Sequence, residues 1–214
     1  MSRQICILAH GVDTDPVGRS WNDEVEVAYQ PLASTFGIEL VSHKYGYVPG
    51  WQAWFSAFVR SGVVDREEQY YMGKSGEYEG LFENIGPTDK VHYVGHSLGG
   101  YIGTALLKRG LRFRNMILMW SWSVEHFNWY NVDSNFHKIR VLWSPNDEKV
   151  TTSQVADKED PELATGLMGR VGSQISHPRV ESIEFPDWKH DTFSSNATDR
   201  HSFWKDNFLW LASS

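Results

Sequence analysis

Apolar residues in this chain fall into short continuous runs separated by stretches with helical spacing. Ile5-Cys6-Ile7-Leu8-Ala9 is such a run, as a strand buried on both faces of a parallel sheet requires. Comparable runs at residues 38–42, 91–94, 116–120 and 180–185 predict further strands, and the alternation of Ile139, Val141 and Trp143 predicts another. Between them, helices are expected over residues 21–35, 98–109 and 161–170, and from Thr198 or Asp199 towards the end. Trp51, Trp54, Phe55, Phe58 and Val59 recur at i, i+3, i+4, i+7 and i+8, which predicts a helix with one wide apolar face. Residues 70–80, rich in Tyr and Gly, read as a loop or flap.

Strands that alternate with helices imply an α/β fold: a doubly wound, mostly parallel sheet of about six strands with helices on both faces, in a single domain spanning 1–214. Ligands of such sheets sit beyond the carboxyl ends of the strands. The informative loops are therefore those after residues 9, 42, 94, 120, 144 and 185.

One of these loops carries a motif. The strand 91–94 leads through Gly95-His96-Ser97-Leu98-Gly99 into an amphipathic helix, placing a serine at the apex of a sharp turn. Strand and helix nearly touch two residues before and two after such a serine, so neither position admits a large side chain. The helix also aims its free N–H groups and positive end at charge formed near the serine. The stretch GHSLGG resembles the nucleophile elbow of the α/β-hydrolase family, in the form its esterases and lipases often show.

The resemblance implies a Ser-acid-His triad in that chain order on separate strand ends. A serine hydroxyl needs a base, and the base a carboxylate that fixes its tautomer and stabilises its charge. The expected assignments are Ser97 as nucleophile, His190 as base and then acid, and Asp147, within the turn formers Ser144-Pro145-Asn146-Asp147, as the orienting carboxylate. Glu148, Asp187 and Asp191 are the rival acids. Oxyanion donors are expected from the N–H of Leu98 and, because His10-Gly11-Val12 resembles the family's HG-x element, from that of Val12. Relatives often insert a cap domain where this chain has only residues 121–138. The expectation is a minimal hydrolase without a large cap, its acyl pocket partly walled by Trp122, Phe127 and Trp129.

Composition narrows the partners. A net charge of -7 argues against nucleic acid or an anionic membrane surface, and no apolar run reaches the roughly 18 residues a membrane span needs. The N-terminal apolar run is too brief for a secretory signal, so a cytoplasmic product is expected, or a mature form already without its leader. The single Cys6 agrees with a reducing compartment. The abundant Trp, Tyr and Phe read as packing mass. His92 and His96 straddle strand and turn and are not read as a metal site. His43, His126, His137, His177 and His201 read as structural or surface residues. The function expected is hydrolysis of a small carboxylic ester through an acyl-enzyme, with no cofactor. Thioesterase, amidase and acyltransferase chemistry stay open, as does a non-catalytic binding protein on the same fold.

Overall fold

A computed structural model describes residues 3–12, 20–43, 57–72, 85–86, 88–152, 165–190, 192–193 and 200–213. Among them, six strands form one sheet in the order β2-β1-β3-β4-β5-β6: β1 (Gln4–Ala9), β2 (Ile38–His43), β3 (Lys90–His96), β4 (Phe113–Met119), β5 (Phe136–Trp143) and β6 (Val180–Glu184). Every pairing between these strands is parallel. The register brings Ala9 beside both His43 and Gly95, His96 beside Met119, and Trp143 beside Glu184. All the carboxyl ends therefore open onto one edge.

Alternation along each strand divides the core in two. Ile7 and Ala9, Val91 and Tyr93, Met116 and Leu118, and Ile139 and Val141 face one side, together with Val63 and Val64 from α2 (Ala57–Met72) and Leu98, Ile102 and Leu106 from α3 (Leu98–Lys108). Cys6 and Leu8, Val94, Ile117 and Leu142 face the other, packed under Val25 and Tyr29 of α1 (Trp21–Thr35) and Trp204, Phe208 and Leu211 of a terminal helix, His201–Ala212. Helices thus cover both faces, as the continuous apolar strands require. At the start of α1, Asn22 donates to the carbonyl oxygens of Leu8 (3.3 Å) and His43 (3.1 Å), tying the helix to two strand ends.

Two helices differ from expectation. α2 runs to Met72 and includes Tyr70 and Tyr71. Its buried face is Arg60, Val63, Val64, Glu67 and Tyr71, with Glu67 paired to His43 at 2.6 Å. Two of those five residues are charged, which hides the periodicity. Trp51, Trp54 and Phe55 lie outside the described residues, as do residues 73–80 and the side chains of Phe58 and Val59. In the predicted helix 161–170, residues 161–164 lie outside the described residues and helix forms only at Met168–Val171. Gly166 N–H donates to Trp122 O, Met168 N–H to Ser123 O and Gly169 N–H to Ser121 O. These bonds draw the chain along the segment after β4 and take the place of helical ones.

That segment, connecting β4 to β5, holds a loop and one 3-10 helix, Trp129–Asn135, and no cap domain. Among the described residues no helix is long and apolar enough to cross a membrane.

Candidate active site

β3 stops at His96 and α3 begins at Leu98, leaving Ser97 with φ 57° and ψ -120°. A serine held in that region of backbone space stores strain, which persists only when the surroundings fix it. They do: Ser97 N–H donates to Met119 O at 3.0 Å, while Ser97 O accepts from Gly100 N–H at 3.1 Å and Trp122 N–H at 3.3 Å. A Cβ on Gly95 would lie 2.6 Å from Gly99 O, so strand and helix touch where the motif requires glycine. The Ser97 hydroxyl is buried and has no hydrogen-bond partner among the described residues. A buried hydroxyl left unpaired has a cost, and function is a common reason for keeping one.

The loop after β1 closes over this serine. A Cβ on Gly11 would meet Ser97 Cβ at 2.9 Å and its Oγ at 3.4 Å. His10 Nδ1 lies 2.6 Å from Gly11 O, and Val12, partly buried, packs against the core that contains Leu98.

Beyond β5, Asp147 N–H donates to Ser144 O at 3.1 Å and closes a turn. This turn is fastened to the loop after β6, where Ser144 Oγ donates to Trp188 O and Asn146 Nδ2 to Pro186 O. The fastening brings His190 Nδ1 to 2.8 Å from Asp147 Oδ2 and 3.0 Å from Oδ1, with both residues buried. With Nδ1–H donating to the carboxylate, Nε2 is left as the basic nitrogen. Asp147 Oδ1 also accepts from Val150 N–H at 3.1 Å. Of the rival acids, Glu148 and Asp187 are exposed and Asp191 lies outside the described residues.

His96 joins this pair to the elbow. Its Nε2 lies 3.1 Å from His190 O, and the two rings are 4.6 Å apart. Burial, and then the neighbouring His190, hold the His96 imidazole well below its ordinary pKa, so the ring is neutral and Nε2 carries the hydrogen. His190 and Asp147 are thus brought together and docked on the residue before Ser97, while Ser97 Oγ itself makes no hydrogen bond among the described residues. Among the described residues no three His, Cys, Asp or Glu side chains converge as metal ligands.

The expected pocket walls separate. Trp122 stays beside the elbow, its N–H bonded to Ser97 O. Phe127 and Trp129 do not. Lys108, at the far end of α3, lies over the Phe127 ring at 5.4 Å, and Trp129 packs against Phe136 at the start of β5 and donates to Ser173 Oγ at 2.8 Å. Eleven helical residues, about 16 Å of helix, separate Ser97 from Lys108. The reason is topological: a chain leaving the carboxyl end of β4 must return to the amino edge to start a parallel β5, and by residue 127 it has done so. The aromatic rings that do surround His96 were not singled out from the sequence. They are Phe193 (4.6 Å), Trp21 (6.1 Å) and Trp120 (6.5 Å). Trp120 has φ 46° and, like Trp21 and Phe193, adjoins a strand-end loop, which was the signal available.

No protein-family model matches the chain, and no curated protein matches it. Solved structures do. TT1662 from Thermus thermophilus superposes with a TM-score of 0.57 at 11% identity, over 100% of this chain and 90% of its own. The esterase domain of a Rhodothermus marinus protein gives 0.57 at 11% identity over 97% and 85%. Alpha/beta hydrolase domain-containing protein 10 from mouse gives 0.54 at 14% identity over 98% and 90%.

Proposed function

On the α/β-hydrolase fold that this chain has, we propose a serine hydrolase that cleaves a small carboxylic ester through an acyl-enzyme. The observation that carries the reading is the buried His190–Asp147 pair, 2.8 Å apart and bonded through the His190 carbonyl to the residue preceding a strained, unpaired serine. The esterase domain and the alpha/beta hydrolase domain-containing protein that share this fold, at 11% and 14% identity, agree with this chemistry.

In the first half-reaction Ser97 Oγ attacks the ester carbonyl carbon and its proton passes to His190 Nε2. Asp147 steadies the imidazolium through Nδ1–H. The N–H groups of Leu98 and Val12 serve the oxyanion, each worth about 3 kcal/mol of barrier. The tetrahedral intermediate collapses, the C–O bond to the alcohol breaks, and His190 returns the proton to the departing alkoxide. In the second half-reaction His190 takes a proton from water, the hydroxide attacks the acyl-Ser97 carbonyl, and the carboxylic acid leaves as Ser97 Oγ is reprotonated.

Ser97→Ala tests the assignment. It should abolish p-nitrophenyl ester hydrolysis and labelling by a fluorophosphonate probe while leaving the circular dichroism spectrum unchanged. Hydrolysis by Ser97→Ala at the parent rate would refute the nucleophile, and a panel of esters graded in acyl length would then define the substrate of an active parent.

A further inference from the structure

The opposite edge of the sheet carries a cavity. β3 runs from Lys90, at this amino edge, to His96, and its seven residues separate the two ends by about 20 Å. The cavity has a volume of about 610 Å³, within the range of small-molecule sites. Its lining is strongly cationic. Lys90, Arg112, Arg114 and Arg179 face it together with His137, against one carboxylate, Asp89. This concentration runs against a chain whose net charge is -7.

The carboxylate does not neutralise the cluster. Asp89 is engaged by Arg3, whose N–H reaches Oδ1 at 2.8 Å and whose Nε reaches Oδ2 at 3.0 Å, and by Gly86 N–H at 3.0 Å. Arg179 is held as a wall by Phe136 O (2.9 Å) and Asp133 O (2.8 Å), pairs with the Asp133 carboxylate at 3.4 Å and lies over the Phe136 ring. Arg112 and Arg114 differ: among the described residues no carboxylate pairs with either, and Arg114 Nε is buried without a hydrogen-bond partner. Helix ends do not account for them. The cation completing α3 is Arg109, which is paired to Asp65 (2.6 Å) and Glu68 (2.8 Å), whereas Arg112 precedes β4 and Arg114 lies within it.

Two histidines register the resulting potential. His137 sits below its ordinary pKa through burial and then through Arg114, Lys138, Arg179 and Lys90. His92 is driven down to about 3 by burial and then by Lys90, Arg114 and Lys138. Like charges gathered this closely repel, and a bound anion turns that repulsion into attraction. Guanidinium forks match phosphate oxygens in geometry as well as charge.

We propose that this cavity is a binding site for a small phosphate-bearing polyanion, with Arg112 and Arg114 as its main ligands. The site is separate from the Ser97 edge and does not depend on the chemistry there.

Inorganic pyrophosphate titrated into the full chain tests it, followed by calorimetry and by the imidazole NMR signals. Saturable binding at physiological ionic strength is expected, and it raises the pKa of His137, because the anion favours the imidazolium form. Arg112→Gln with Arg114→Gln should weaken binding at least about tenfold and leave ester turnover at the parent value. Absence of saturable binding, or equal affinity in the double variant, would overturn the proposal. Should the double variant not fold, a His137 pKa in the parent that pyrophosphate does not raise is equally decisive against it.

Discussion

Gly11 and Ser97 meet so closely that a single added methyl group on Gly11 would lie 2.9 Å from Ser97 Cβ. The loop after β1 and the elbow after β3 are therefore fitted to one another through the absence of a side chain. Gly11→Ala should push the two loops apart at a cost of about 1–3 kcal/mol of stability. Displacing the serine by an ångström should lower kcat/KM about 100-fold. Ester turnover and urea denaturation, measured on the same sample, check both figures.

Asp147→Asn keeps the size of the side chain but offers His190 Nδ1 an amide in place of a carboxylate. The imidazole then loses the partner that fixes Nδ1–H and stabilises its positive charge. The expected loss is about 10⁴-fold in kcat with KM little changed. Steady-state kinetics that showed a loss in KM alone would contradict an orienting role for Asp147.

Trp129 lies at the far end of α3 from the serine, bonded to Ser173 Oγ. Trp129→Phe removes that bond and should cost about 1–2 kcal/mol of stability. Turnover of short and long esters alike should stay at the parent value, since the ring borders no part of the proposed acyl site. A change in chain-length preference would return Trp129 to the pocket expected from the sequence.

The fold was legible wherever burial wrote itself into consecutive residues. Ile5–Ala9 and the runs like it announced strands covered on both faces, and the glycines around Ser97 announced a turn where backbones touch. α2 was hard to read because Arg60 and Glu67 occupy its buried face, and a charged residue satisfied inside the fold looks like a solvated one in the sequence. Residues 165–167, expected as helix but irregular, were hard to read for another reason: hydrogen bonds from residues 166–169 to residues 121–123 are tertiary and leave no local trace. The order of Ser97, Asp147 and His190 could be read from the chain, but the edge of the sheet that Phe127 and Trp129 occupy could not.

His92 makes stability depend on pH. Its folded-state pKa is about 3 against an ordinary 6.5, so below pH 6.5 the unfolded chain binds a proton that the native state refuses. The contribution of His92 is complete above pH 6.5 and is lost as pH drops towards 3, at up to about 1.4 kcal/mol per pH unit. His92→Gln should flatten the curve by that amount. Urea midpoints measured between pH 7 and pH 4 for parent and variant test it.

β6 is one of the sheet's two edge strands, with most of its side chains exposed, and among the described strands it pairs with β5 alone. Yet the loop it launches carries His190 back across the sheet to Asp147. An edge strand therefore holds the imidazole, while the serine rides on an interior one. Edges fray at free energies well below that of global unfolding. On warming, the imidazole should be lost from its post while the central strands remain intact, giving the molecule a working temperature limit set by its border and lower than the one set by its core.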